Sequence, residues 1–188
     1  MNASAEPFQR HRYTVDEYRR MVEHGIIDAD ARVELIEGEI IDVPPIGSTH
    51  GGIVNQLNRA LGRAVGDAAI VHVQNTVVLG DHSQPQPDIA LLRPRDDFYK
   101  RANPGPEDVL LAIEVADSTL AYDREVKVPL YARHGIVETW LIDVKGRRVT
   151  AFREPGPDGY GRRVELAELG AVAPLLLPEA VVDLSGLF

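Results

Sequence analysis

Two carboxylates stand where the sequence makes acid expensive. Glu114 lies near the end of Val109-Leu-Leu-Ala-Ile-Glu-Val115, whose continuous apolar character predicts a strand covered on both faces. A carboxylate there must be paired, protonated or bound to a cation. Asp88 opens Asp88-Ile-Ala-Leu-Leu92, directly after Pro87. If those strands are neighbours, the two acids converge. Two anions that close repel, and one takes up a proton unless a metal sits between them. A hard divalent ion with oxygen ligands suits such a place, and magnesium is the usual case. Lys127 follows, early in a predicted helix, with Asp123, Lys127 and Tyr131 four apart on one face. A lysine over the sheet end can orient a metal-bound water or stabilise charge that develops at phosphorus.

Each of these residues also has a plain structural reading. Asp88 alone is best read as capping the turn after Pro87, Lys127 alone as a solvated helix residue. Glu114 can be an ion-pair partner of Arg124 or Lys127, since buried carboxylates are enriched at sites but not confined to them. The order of the three along the chain is what favours a site. Glu34 is open to two readings, a third acid or an exposed strand residue paired with Arg32. His50, at the start of a helix, can face a phosphate or serve as an ordinary helix-start residue. Asp117-Ser118 reads as a cap or turn, and Tyr131 and Trp140 as core. Two basic clusters, Arg93, Arg95, Lys100 and Arg101, and Lys145, Arg147 and Arg148, can track a phosphate backbone or simply be solvated.

Other chemistries lack their residues. There is no Gly-rich phosphate loop and no G-x-S-x-G elbow. The histidines at 11, 24, 50, 72, 82 and 134 include no H-x-x-x-H pair. With no cysteine in the chain, disulfides, zinc-thiolate sites and thiol nucleophiles are excluded.

The elements that must position these groups follow from patterning. Residues 1–12 read as a loose polar arm, and 13–188 as a single domain. Thr14-Val-Asp-Glu17 fits a capping box, opening a short amphipathic helix (Val15, Tyr18, Met21, Val22) stopped by Gly25. Arg32 to Val43 reads as a hairpin turning at Glu37-Gly38, with one polar face. Pro44-Pro45 ends its second strand. Ser48 is placed to cap a helix whose buried face is Ile53, Leu57, Leu61 and Val65, ended by Gly66. Ala69 to Leu79 is strand-like, Gly80 to Pro87 is a loop, and Arg93 to Asp108 is a charged, proline-rich excursion. A helix over 123–134 is stopped by Gly135. Pro129 either falls in its first turns, if it begins near Glu125, or kinks it. Thr139 to Asp143 and Arg148 to Arg153 read as a strand pair, followed by a further strand or two and a proline-broken tail. Strands outnumber helices, and the order implies an α/β or α+β fold with a mixed sheet.

The 188 residues are 44 % hydrophobic and 26 % charged, enough for one domain with a real core and too ordered in composition for disorder as the main state. Asp and Glu number 29 against 20 Lys and Arg, a net charge of −9. A surface adhering generally to nucleic acid is excluded by that sign. A polyanion must bind at a local basic patch or through cations held by carboxylates. No signal peptide or membrane span is apparent, so the cytoplasm is the expected location and no membrane partner is expected.

The pattern Pro87-Asp88, then Glu114 on a strand, with a lysine downstream, resembles the PD-(D/E)XK nuclease superfamily. More closely, the chain is similar to the Uma family of restriction-endonuclease-like proteins. The matching stretches are YTVDEY (13–18), ELIEGEIIDVPP (34–45), His50 with Ile53 and Leu57, PQPDIALL (85–92), LAIEVADST (111–119) and DREVKVPLYARHGIVETWLID (123–143). Singly these are weak; in order they are specific. The resemblance implies a restriction-endonuclease-like mixed sheet flanked by helices, with an N-terminal helix and hairpin. It further implies a site for Mg2+, or Mn2+ in its place, a DNA substrate and a homodimer. Asp88 matches the aspartate of the PD motif and Glu114 the first acid of E-x-K. The Val115 carbonyl matches a further metal ligand, and Glu34 the family's early acid. One departure stands out: Ala116 occupies the lysine position two residues after Glu114, and Lys127 matches the place to which the lysine has moved. The function implied is a divalent-metal endonuclease. The alternative is a catalytically silent nuclease fold kept for binding or assembly, since fold does not fix function.

Overall fold

The computed structural model describes residues 10–166 and 169–188. Most of the arm expected over 1–12 lies outside them. Helix α1 (Val15–Glu23) opens with the expected capping box: the Thr14 side chain accepts from the Glu17 amide, and Glu17 accepts from the Thr14 amide. Strands β1 (Val33–Ile36) and β2 (Glu39–Asp42) form the hairpin as a separate two-stranded sheet. Its turn is tight for two reasons. Gly38 has φ +81°, and a Cβ there would sit 2.6 Å from the Arg12 Cβ. Gly38→Ala is therefore expected to destabilise the fold by about 1–3 kcal/mol, read as a lowered urea midpoint at constant m-value.

Helix α2 (Ser48–Val65) buries Ile53, Leu57, Leu61 and Val65 and ends at Gly66. The expected Ser48 cap is not formed. Gly47 is the N-cap and Ser48 is the first helical residue, so the serine is already inside the first turn. Strand β3 (Ile70–Val73) is shorter than the expected 69–79. The chain leaves extended geometry at Gln74, whose φ is +46°. Strands β4 (Ile89–Leu92) and β5 (Val109–Ala116) follow, both wholly buried.

The helix after β5 begins earlier than expected and is not uniform. It comprises α3 (Leu120–Tyr122), a π turn (Asp123–Lys127) and α4 (Val128–Arg133). Pro129 explains the widening. It has no N–H for the carbonyl of Glu125, and its ring crowds that carbonyl. The preceding turn opens, so the Val128 amide bonds to the Asp123 carbonyl instead.

Strands β6 (Glu138–Asp143), β7 (Arg148–Gly156) and β8 (Gly159–Glu165) complete the main sheet. Its order is β3-β4-β5-β6-β7-β8. Only β5 and β6 run parallel, joined over one face by the α3–α4 crossover. The sheet is thus mixed, as expected. Two short strands, β9 (Ala171–Val172) and β10 (Val182–Asp183), pair near the C-terminus.

Alternation assigns the faces. Ile89, Leu91, Leu111, Ile113 and Trp140 pack under α2. Ala90 and Ala112 pack with Leu130 and Tyr131 of α4. Glu114 falls on that second face, between Ala112 and Ala116. Ala116 in turn packs with Val128. Small side chains on both sides of the glutamate let the helix lie close, which brings Lys127 to it.

Candidate functional site

Strand register makes the first juxtaposition. In the antiparallel pair, Ile89 faces Ile113, so one step further Asp88 stands opposite Glu114. The Asp88 Oδ2 accepts from the Val115 amide at 2.8 Å. The turn cap that Asp88 alone suggested is thus replaced by a tie across strands. Its Oδ1 receives His50 Nε2 at 3.1 Å and Gln74 Nε2 at 3.3 Å. His50, placed on the first turn of α2, is therefore a partner of Asp88.

The hairpin delivers Glu34. The expected polar face of β1 is not solvated: all four residues of the strand are buried, and Glu34 is 4 % exposed. Pairing with Arg32 does not occur. The Glu34 Oε1 accepts from the Gln86 amide at 2.8 Å and from Lys127 Nζ at 3.1 Å.

Lys127 is buried, not solvated. Its Nζ lies 2.8 Å from Glu114 Oε1. Tyr131, read as core, is fully buried and also donates to Glu114 Oε1. Asp123 is buried and accepts from the Thr119 hydroxyl. Sequence reasoning saw the shared face of Asp123, Lys127 and Tyr131 but assigned chemistry only to the lysine. Nothing in the linear pattern marked Gln74, Gln86 or Thr119.

These groups line a cleft of about 590 Å³, whose walls include Asp88, Glu114, Lys127, His50, Tyr122 and Glu34. Its charge is unbalanced, with Glu34, Asp88, Glu114 and Asp123 around Lys127 and His50. The consequences run in opposite directions for the two sides. Burial pushes Glu114 well above the usual carboxylate range, and Asp123, Asp88 and Glu34 add to it while Lys127 only partly offsets it. Burial and the same crowding raise Asp123. For Lys127 burial disfavours the charge, but Glu114, Glu34 and Asp123 together hold the ammonium above the ordinary lysine value. The asymmetry is one of number: the lysine has three carboxylates, and they share one lysine. Asp88 is different. Burial would raise it, but the His50 hydrogen bond and charge, the Val115 amide and Lys127 leave it below the usual value. His50 is raised in return, chiefly by that hydrogen bond.

Removing the imidazole should therefore register on Asp88. His50→Ala is expected to move the Asp88 carboxyl upward in an NMR pH titration and to cost about 1–3 kcal/mol of stability through lost charge-assisted bonding.

Asp88 and Glu114 offer carboxylate oxygens to the cleft, which carries excess negative charge. Both features suit a hard divalent cation. Among the described residues no group of three His, Asp or Glu side chains is gathered at metal-binding spacing, so the two carboxylates are the side-chain donors on offer. The basic clusters are partly committed elsewhere. Arg95 pairs with Asp97 at 2.5 Å and lies 3.7 Å from the Tyr99 ring centroid. Lys145 approaches the cleft rim at Asp117, 3.8 Å away. Among the described residues no helix is long and apolar enough to cross a membrane.

The fold is not new. A crystal structure described as "a putative nuclease belonging to DUF820 from Anabaena variabilis ATCC 29413" superposes with a TM-score of 0.73 at 23% identity, covering 93% of this chain and 97% of that one. At that identity the likeness concerns the fold. No protein of curated description matches. The family model "Uma2: Putative restriction endonuclease" matches residues 15–185, which takes in β1, the Pro87-Asp88 turn, β5 and the lysine-bearing helix. The chain belongs to that restriction-endonuclease-like family.

Proposed function

We propose that the cleft hydrolyses phosphodiester bonds of nucleic acid, most simply DNA, with a divalent cation, Mg2+ first and Mn2+ as substitute. The observation that carries the reading is the meeting of Asp88 and Glu114 beside a buried lysine at the edge of an open cleft. Asp88, Glu114 and the Val115 carbonyl would hold the ion, with Glu34 as a third acid of the same cleft. A divalent ion there supplies a water of lowered pKa and neutralises phosphate charge. Lys127 has three N–H donors, and Glu34 and Glu114 take two of them. The third remains to position the attacking water. Glu34 and Tyr131 act through others, fixing Lys127 and Glu114. Water would add at phosphorus and give up one proton to solvent, the P–O bond to the leaving sugar would break, and the departing oxygen would take up a proton from solvent.

A second reading has an observation of its own. Lys127 lies at bonding distance from Glu114, as a purely structural ion pair would. The open cleft in front of Asp88 and Glu114 favours the enzyme over a silent binding or assembly module. Calorimetric titration with Mg2+ or Mn2+ separates the two. Saturable binding that disappears in Glu114→Gln supports the enzyme, and absence of binding in the wild type favours the module.

The acidic setting sets the sign of a salt effect. Asp30, Asp42 and Asp117 also line the cleft, against Arg32 as the further cation there, and the chain carries −9. Enzymes that hold DNA by many lysines and arginines lose roughly 10³–10⁵-fold in affinity between 50 and 200 mM salt. Here kcat/KM on a short oligonucleotide is expected to stay level or rise over that range, because screening relieves repulsion. A homodimer that joins the two basic clusters into a groove would restore the ordinary, falling dependence.

A further inference from the structure

Among the described residues, three buried side-chain atoms have no hydrogen-bond partner in the protein: His50 Nδ1, Gln84 Oε1 and Tyr122 OH. Folded chains leave few such groups, and each is retained at a cost to stability. These three are not scattered. His50 and Tyr122 line the main cleft. Gln84 lines a side arm of about 310 Å³ that shares Ala29, Ala31 and Gln86 with the cleft. The arm therefore adjoins the cleft across those three residues.

We infer that cleft and arm form one nucleotide-recognition track, with the Tyr122 hydroxyl contacting the phosphate and Gln84 reading the adjoining base. The inference rests on the reading of the cleft as a site for nucleic acid. Tyr122 immediately precedes Asp123 on the helix that carries Lys127, so its phenol belongs to the reacting end. A phenolic O–H donates to a non-bridging phosphoryl oxygen. The arm suits a base better than a second phosphate. Arg19 there is accompanied by Glu23 and Asp28, so an anion meets two carboxylates for one guanidinium. An uncharged base edge with amine hydrogens meets acceptors. Tyr18 and Val22 supply an apolar wall.

Gln84 is 9 % exposed and is held from behind. Its amide N–H bonds to the Leu35 carbonyl at 2.6 Å, which fixes the backbone beneath the side chain that lines the arm. The side-chain amide makes no hydrogen bond at either end among the described residues, so turning it over leaves the same deficit. An amide offers one acceptor and one donor side by side, which matches the N6 and N7 edge of adenine. On that same edge thymine offers an acceptor and a methyl group but no donor, and is the poorest fit there.

The test uses fluorescein-labelled pentanucleotides that differ only at the central base. Their binding is measured in Ca2+, and their cleavage in Mg2+, for the wild type, Tyr122→Phe and Gln84→Met. Both variants remove an atom without a protein partner, so Tm is expected to hold or to rise by a few degrees, about 2–4 °C. Tyr122→Phe should weaken binding of every pentanucleotide about 10-fold. Gln84→Met should reduce the adenine-over-thymine preference to near unity. Wild-type binding that is base-selective without cleavage in Mg2+ would sink the hydrolase reading and leave the recognition track standing. Cleavage by all three proteins with unchanged affinity and unchanged base preference would overturn the track and leave the hydrolase. A Tm lowered by several degrees in either variant would show that the removed atom has a partner in the protein, and also overturns it, as does failure of the wild type to bind any pentanucleotide.

Discussion

Lys127→Met is expected to cost about 3–5 kcal/mol, the range for removing one partner of a buried ion pair. A fall in Tm on the order of 10 °C would follow for a chain of this size. The reason is the company the ammonium keeps. Its Nζ is shared between Glu34 and Glu114 at 3.1 and 2.8 Å, and Asp123 is also buried nearby. Without it, acid remains in a setting that already disfavours charge. Glu114 can relieve part of this by taking up a proton. The double variant Lys127→Met, Glu114→Gln should therefore recover much of the loss, and thermal melts of the four proteins in a double-mutant cycle measure the coupling. A cycle in which the two effects simply add would show that the pair does not act as a unit. Activity should be absent in both lysine variants, because refolding the pocket does not replace the donor to water.

Asp88→Asn and Glu114→Gln are expected to lower Mg2+-dependent DNA cleavage by on the order of 10³-fold or more, roughly 4 kcal/mol of barrier. Their effects on stability should differ, and this separates a site residue from a structural one. Glu114 has its folded-state value raised above the ordinary 4.5. The folded chain then holds a proton that the unfolded chain releases. Without metal, stability falls as pH rises from about 4.5 toward that raised value. Glu114→Gln abolishes this loss, so at neutral pH the metal-free variant should melt no lower than the wild type while being inactive. Asp88 is held below 3.8. Its contribution is fully present above that value and fades as pH falls through the folded-state value, so Asp88→Asn should be the less stable variant at neutral pH. Urea midpoints between pH 4.5 and 8 check both signs. A Glu114→Gln protein much less stable than the wild type at pH 7 would mark Glu114 as an ion-pair anchor.

Several features of this molecule were legible along the chain because they depend on near neighbours. The capping box at Thr14 and Glu17, the stop at Gly25, the hairpin turn at Glu37-Gly38 and the buried stripe of α2 are all local in origin. So is the burial of β5, whose apolar run leaves no polar face. Local reading failed where a neighbour in sequence was not the deciding contact. Ser48 has the chemistry of a cap, but the chain enters α2 one residue earlier. Ala69 to Leu79 has β-forming residues throughout, yet the pairing with β4 ends at Val73 and the chain turns at Gln74. Glu34 alternates as a solvated strand residue would, but the face it occupies is covered by the rest of the fold.

By itself the amino-acid order determined which residues are costly to bury, the acids in apolar strands and the lysine one helix later. It also determined the family, because those residues come in a characteristic succession. Only the tertiary structure decided how they pair. Antiparallel register set Asp88 opposite Glu114. The close packing allowed by Ala112 and Ala116, with the π turn ahead of Pro129, set Lys127 between Glu114 and Glu34. Those contacts join residues from a dozen to more than ninety positions apart, and their energies depend on burial and on the count of nearby charges. Neither quantity exists until the sheet has closed over the helix.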